Sequence, residues 1–260
     1  MLDALAIGAT GMQAQQAHVD AIANNLANVN TAGFKKNRTG FSELVVGVAQ
    51  PGRDATGPGV FATGGVGAGV QVATASKVFD PGELRRTEAP LDLAIVGDGF
   101  FELALPDGTR AYALGGSLKV NAEGQLATQA GAPLKPGVAI PDNAQAVTIS
   151  ATGRVEVRLP GQATPVDAGQ LELVRFANPQ ALLAQGANVY RATEASGEPI
   201  GGRPGDDGMG TIVQGALESS NVKLVEEMVN LMVAQRAYEA SVKVVQACDD
   251  MLGMINGLRR

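Results

Sequence analysis

The sequence predicts a discontinuous α+β fold: one helix at each end of the chain, the two belonging together as a stalk, and a central all-β body reached through an extended Gly-rich segment. Three observations predict it. Residues 2–29 and 217–256 carry apolar side chains at alternating steps of three and four, the seam of a packed helix. Glycine is abundant, at 34 residues, about twice ordinary usage and a mark of many turns. From about residue 91 the chain breaks into short β-patterned runs separated by turn residues.

Leu2, Leu5, Ala9, Met12, Gln16, Val19, Ala23 and Leu26 follow the seam step at the N-terminal end, and Ile7, Ile22 and Val29 widen the stripe. Gln13, Gln15, Asp20, Asn24 and Asn25 lie between them and are expected to face water or a polar neighbour. The stop falls at Asn30-Thr31-Ala32-Gly33, where Gly33 supplies a left-handed cap and Lys35 and Lys36 follow.

At the C-terminal end Leu224, Met228, Leu231, Gln235, Tyr238, Val242, Val245, Asp249 and Leu252 keep the same step. Val225, Val229 and Met232 form a second, adjacent stripe, so this helix is expected to touch two neighbours. Ser219, Ser220 and Asn221 are candidate N-caps, and Glu226 and Glu227 suit the positive end of the helix dipole. Gly257, Arg259 and Arg260 end it. Such a helix is roughly 55–60 Å long. One apolar stripe does not offset the entropy of ordering so long a segment. Both ends are therefore expected to fray in the free monomer and to order against each other or against neighbouring subunits. The alternative is a stalk already formed within one stable monomer.

The middle divides in two. Residues 47–75 are Gly-, Pro-, Ala- and Thr-rich with almost no charge, an extended loop or irregular hairpin with a strand near 70–73. Neither a GxGxxG spacing nor a Gly-Lys-Ser/Thr run occurs there, which argues against a phosphate loop. Beyond it, strands are expected at 91–96, 100–105, 110–114, 147–149, 155–159 and 171–176, with turns at Gly97-Asp98-Gly99, Pro106-Asp107-Gly108 and Glu123-Gly124. Val155, Val157 and Leu159 alternate with Glu156 and Arg158, a strand buried on one face. Strands at this spacing predict a small barrel or sandwich.

Composition excludes several functions. The 260 residues are long enough for one large domain or two smaller ones. Net charge is −6 with 20 basic and 26 acidic residues, so there is no basic footprint for nucleic acid. Aromatics make up 4% and Trp is absent, which removes base-stacking platforms. No run approaches the roughly 18–20 apolar residues of a membrane span, and the start lacks a basic signal-peptide region. By these rules alone the protein reads as cytosolic.

Catalytic and metal constellations are thin, and the expectation is a protein with no enzyme activity, cofactor or metal. The one histidine, His18, lies within the N-terminal helix and reads as a half-exposed helix residue or a subunit contact. Cys248 sits one step from the seam and reads as a small packing residue. Asp92, Asp98, Glu102 and Asp107 cluster in sequence, but on strand faces and in turns they read as solvated polar residues, as do Asp206 and Asp207. Asn37-Arg38-Thr39 matches the glycosylation sequon, a motif short enough to occur by chance.

The run ANNLANVNTAGFK (residues 23–35) resembles the N-terminal signature of the bacterial flagellar basal-body rod and hook protein family. The run GALESSNVKLVEEMVNLMVAQRAYEASVKVVQACDDML (residues 215–252) resembles its C-terminal signature. The middle segment DGFFELALPDGTRAYALGGSLKVNAEGQLAT (residues 98–128) is similar to the central domain of the distal-rod branch, and the length suits that branch. Another rod or hook-type axial subunit is the alternative. Ala32 stands where many relatives have Pro, and Gly115 where many have Asp. Both are turn positions, and only local effects are expected.

The resemblance implies that residues 1–34 and 215–260 pair as an antiparallel coiled coil lining a tubular filament. Residues 35–90 and 195–214 would link it to a central β domain at 91–194. Subunits would stack helically into a hollow drive shaft, with proximal rod proteins, the hook protein, ring proteins and the flagellar export apparatus as partners. It also implies export to the periplasm without a cleaved signal peptide, in place of the cytosol. Subunit contacts would fall on the apolar seam residues Leu5, Met12, Val19, Leu26, Leu224, Met228, Leu231, Tyr238, Val242, Val245 and Leu252. Asn24, Asn25, Asn28, Gln235 and Arg236 would fix register through hydrogen bonds, or simply form a polar helix face. Segment 47–75 lies where the distal-rod branch differs from hook proteins, and it is expected to brace neighbouring subunits.

Overall fold

The computed structural model describes residues 2–47, 65–162, 164–206 and 208–257. The chain separates into two units: Met1–Ala27, Asn37–Ser76 and Lys223–Arg260 in one, Asn28–Lys36 and Lys77–Val222 in the other. Each unit is discontinuous in sequence.

The helical unit holds α1 (Leu2–Ala27) and α2 (Leu224–Gly257), with a ribbon of β1 (Asn37–Gly47) and β2 (Gly65–Lys77). Of the segment 47–75 expected as an extended loop or irregular hairpin, residues 65–75 lie on β2, which pairs with β1, and residues 48–64 lie outside the described residues. Asp3 in the first turn of α1, and Glu226 and Glu227 in that of α2, complement the helix dipoles. At 34 residues, α2 is about 51 Å long. It starts later than the apolar pattern predicts. Residues 216–218 form a strand paired with Leu84–Arg86, and α2 begins at Leu224, beyond the candidate caps Ser219, Ser220 and Asn221; the side chains of Ser220 and Asn221 accept from Val222 and Lys36 N–H instead.

The β unit is built from β3 (Leu84–Arg86) through β18 (Ala216–Glu218). All six expected strands occur: β4 (Asp92–Val96), β5 (Phe101–Ala104), β6 (Arg110–Ala113), β10 (Ala146–Ile149), β11 (Arg154–Arg158) and β13 (Leu173–Arg175). The additional strands include β7 (Gly115–Val120), β8 (Leu126–Thr128), β9 (Leu134–Lys135), β12 (Val166–Gln170), β14 (Leu183–Gly186), β15 (Val189–Arg191), β16 (Ile200–Gly202) and β17 (Thr211–Gln214). The larger sheets run β14-β15-β6-β5-β9, β17-β4-β7-β8 and β10-β11-β12. None closes on itself among the described residues, so the architecture is α+β with several small antiparallel sheets.

Alternation sets the core. On β11, Val155 and Val157 are buried while Arg154 and Arg158 are exposed, the one-face pattern read from the sequence. They join Leu93, Leu103, Leu126, Leu134, Leu171, Leu173 and Ile212 in one apolar cluster. A second cluster gathers Phe100, Tyr112, Phe176 and Tyr190 with Phe79 against it. Its rings meet edge to face, Tyr112–Phe176 at 4.7 Å and Phe79–Tyr190 at 5.2 Å between centroids, the arrangement favoured by ring quadrupoles.

Candidate functional site

The surface that stands out lies on α2 of the helical unit, where burial and hydrophobicity are inverted. Small and polar residues point inward and large apolar ones point out. On α2 the buried positions are Glu227, Ala234 and Cys248, with Leu231, Ser241, Val245 and Leu252 half-buried. With half-buried Ala237 between Ala234 and Ser241 these follow steps of three and four, and of the expected seam, which includes Gln235 and Asp249, the half-buried members are Leu231, Val242, Val245 and Leu252. On α1 the buried residues are Gly8, Ala14, Ile22 and Asn25, while Leu5, Met12, Val19 and Leu26 are half-buried and Ala9, Gln16 and Ala23 are exposed.

The two helices run antiparallel. A Cβ on Gly8 would lie 2.7 Å from Val245 Cγ2, and one on Gly11 would lie 3.6 Å from Ser241 Oγ. Farther along, Asn25 reaches Glu227. Glycine and serine at these crossings let the backbones approach closely, and a hydrophobicity pattern does not register such residues. Between the mid-regions a cavity of about 350 Å3 is lined by Gln16, Val19, Gln235, Tyr238 and Glu239.

Asn25 is the polar centre of this unit. It is 2% exposed, and Glu227 is 5% exposed. Its Nδ2 donates to Glu227 Oε2 at 3.2 Å and to the Asn37 carbonyl at 3.0 Å, while its Oδ1 accepts from the Asn37 N–H at 2.7 Å. One carboxamide thus clamps the first residue of β1 to α1 and satisfies a carboxylate inside the helix pair. Asn24 Oδ1 accepts from Asn37 Nδ2 at 3.0 Å, so the side chain of the sequon asparagine is engaged. Asn28 belongs to the β unit and accepts from Thr31 Oγ1 at 3.1 Å. Gln235 and Arg236 are exposed, and Arg236 pairs with Glu239 at 3.4 Å.

The outward face of α2 carries Leu224, Val225, Met228, Val229, Met232 and Val233, and farther on Val244, Met251, Met254 and Ile255. Val225 is 74% exposed and Val233 is 63% exposed. An apolar stripe of this extent on a water-soluble surface marks an interaction site. The second stripe read from sequence is part of it, and so are Leu224 and Met228, which were expected in the seam.

Residues considered for chemistry are accounted for by local packing. His18 meets the Phe41 ring edge to face at 5.6 Å. Asp92 accepts from Thr87 Oγ1 at 2.6 Å, and Glu102 lies 3.5 Å from Arg110. Hydrogen bonds from Thr109 hold the Asp107 carboxyl below its usual pKa. Asp206 N–H donates to the Arg203 carbonyl at 3.1 Å, while Asp207 lies outside the described residues. Among the described residues, no three His, Cys, Asp or Glu side chains are grouped to hold a metal, and no helix is long and apolar enough to cross a membrane.

Three family profiles match: flagella basal body rod protein at residues 5–35, flagellar hook protein FlgE/F/G D1 domain at 94–157, and flagellar basal body rod FlgEFG protein C-terminal at 213–258. The chain is 44% identical over 264 residues to the flagellar basal-body rod protein FlgG of Borreliella burgdorferi, covering 100% of both chains. It is 40% identical to FlgG of Caulobacter vibrioides, covering 99% of this chain and 100% of that one. Identity to the flagellar hook-basal body complex protein FlhP of Bacillus subtilis is 30%, with 100% of both covered.

Proposed function

The chain belongs to the flagellar basal-body rod protein family, and from that premise we propose that it is the subunit of the distal rod, polymerising helically into the hollow drive shaft that carries torque to the hook. Full-length identity to relatives named FlgG supports the distal-rod reading over another rod or hook-type axial subunit. The observation that carries the structural role is the inverted α2, with its small and polar residues buried and its large apolar residues turned outward.

In this reading α1 and α2 form an antiparallel coiled coil whose exposed stripe is covered by neighbouring subunits. Leu224, Met228 and Tyr238 supply apolar contacts between subunits, and Leu5, Met12, Val19, Leu26, Leu231, Val242, Val245 and Leu252 support them from the half-buried flanks. Asn24, Asn28, Gln235 and Arg236 tune register at the edges, and Asn25 does so from within. The protein acts in the basal body as a structural element without enzyme activity. It reaches the periplasm through the flagellar export apparatus with no cleaved signal peptide, and it meets proximal rod, hook and ring proteins there. The division into 1–34 with 215–260, 35–90 with 195–214, and 91–194 describes the assembled subunit, and segment 47–75 braces its neighbours.

Electron microscopy of hook–basal bodies from cells lacking the protein tests the assignment. Proximal-rod stubs without hooks are expected. A full rod lacking only the hook would move the protein to the hook class, and intact rotating flagella would overturn the structural role. Deleting 47–75 should bend or shorten the rod, and a straight, motile rod would refute the bracing role.

A further inference from the structure

Three stretches far apart in sequence meet inside the β unit close to where the chain leaves it. They are residues 33–36, 77–82 and 218–221, beside three of the four points where the chain crosses out of the unit, 36/37, 76/77 and 222/223, the fourth being 27/28. Lys35 is 2% exposed, and its Nζ donates to Glu218 Oε1 at 2.7 Å and to the Asp80 carbonyl at 2.8 Å. The same Glu218 oxygen accepts from the Gly82 N–H at 2.6 Å. Asn221 joins all three stretches: its Oδ1 accepts from the Lys36 N–H at 2.8 Å, and its Nδ2 donates to the carbonyls of Val78 at 2.9 Å and Asp80 at 3.1 Å. Lys77 Nζ donates to the Lys35 carbonyl at 2.9 Å and lies 4.2 Å above the Phe34 ring. Backbone bonds Gly33 N–H to Glu218 carbonyl, at 2.7 Å, and Val78 N–H to Lys36 carbonyl, at 3.0 Å, complete the junction.

We propose that Lys35, Lys77, Glu218 and Asn221 form a mechanical clamp that makes the chain segments leaving the β unit yield together under load. Force arriving along one unclamped segment would peel it away one hydrogen bond at a time. Here each segment is bonded to both of the others, so no segment can move without breaking bonds to the remaining pair. The chemistry suits resistance to sliding. Apolar contacts are non-directional and let surfaces slip. An ion pair away from water with a shared carboxylate oxygen is directional, and separating it strands both charges in a poorly solvating interior. That the load is torque rests on the rod assignment; that the three segments yield as one does not.

The test uses the full-length chain as a monomer, pulled between handles at the exposed residues Arg38 and Lys223, together with amide exchange. The wild type should open the clamp in a single force event. Lys35→Met, Glu218→Gln and Asn221→Ala should each lower that force. The first two should also speed exchange at residues 33–36 by about a hundredfold, while Leu93 and Ile212 in the β4–β17 ladder change less than about threefold. The double variant Lys35→Met with Glu218→Leu separates a clamp from ordinary packing. Removing both charges should restore protection from exchange but leave the opening force low, because the directional bonds are gone. Unchanged force in the single variants, full recovery of force in the double variant, or equal loss of protection in β4 and β17 would each overturn the proposal. Lowered force and faster exchange in variants whose cells still build complete, rotating flagella would leave the clamp standing and count against torque as its load alone.

Discussion

Substituting alanine at the helical glycines measures how closely α1 and α2 approach. In an unobstructed helix interior, Gly→Ala stabilises by about 1 kcal/mol. Gly253 is such a site, since an added Cβ meets nothing within 4 Å, and Gly253→Ala should gain about 0.5–1 kcal/mol. Gly11 is intermediate. Its Cβ would lie 3.6 Å from Ser241 Oγ, an ordinary contact, so the same gain is expected. At Gly8 the Cβ would stand 2.7 Å from Val245 Cγ2, a distance at which something must move. Valine in a helix is held to one dominant rotamer, and the strain of overpacking is about 1–3 kcal/mol. Gly8→Ala should therefore range from neutral to about 2 kcal/mol destabilising, despite its better helix propensity. Pairing it with Val245→Ala removes the obstructing methyl and should give a favourable coupling of about 1 kcal/mol or more. Urea unfolding followed by helical circular dichroism reads all five variants, Val245→Ala alone included. If Gly8→Ala stabilises as much as Gly253→Ala, the close approach of the helices is wrong.

Asn25→Ala strips both hydrogen bonds from the Asn37 backbone and leaves Glu227 without its amide; a loss of about 2–4 kcal/mol is expected, read from the urea midpoint, and a loss below measurement error would refute it. The β14–β15 hairpin turns at Ala187 and Asn188 with φ of 50° and 57°, a left-handed pair that favours Gly over Ala. Ala187→Gly should accordingly raise stability by about 0.5–1 kcal/mol, and a lower melting temperature would contradict that geometry. Burial, with the Glu218 charge as a smaller cause, raises the Tyr190 phenol from 10.0 to about 12. The folded state holds this proton more tightly than the unfolded chain, so the stability it confers is complete below pH 10 and lost as pH rises through about 12, up to about 2–3 kcal/mol. Urea midpoints across that window should fall more steeply for the wild type than for Tyr190→Phe, and parallel falls would refute the assignment.

Much of the fold is legible in the sequence because it rests on periodic apolar residues. Leu93, Phe101, Tyr112, Val155, Val157 and Leu173 are buried on strands that alternation places correctly. The apolar pattern carries the C-terminal helix back to residue 217, whereas 216–218 form a strand although Ala-Leu-Glu has high helical propensity. Its pairing with 84–86 is invisible to any local pattern. The helix seam was half legible for a related reason. Leu231, Val245 and Leu252 announce themselves by size, whereas Gly8, Ala234 and Ser241 are inward because they are small, and size is what permits close approach. Glu227 and Asn25 are inward because each satisfies the other, information that sits 202 residues apart in the chain. Lys35 and Glu218 were missed on the same grounds. Lys35 lies in the N-terminal signature and Glu218 in the C-terminal one, so a buried pair spanning the two signatures is the signal that could have found them.

In the proposed rod the outward apolar stripe of α2 is covered by neighbouring subunits. Val229 is 48% exposed and Met232 is 57% exposed, so Val229→Glu with Met232→Glu should shift monomer stability by no more than about 1 kcal/mol. Every buried copy of the contact in a filament would instead confine two unpaired carboxylates. Electron micrographs of hook–basal bodies from cells whose sole copy carries this double substitution test the claim most directly. A folded, exported subunit with basal bodies that stop at the proximal rod and bear no hook is expected. Complete rods with hooks in those cells would contradict it.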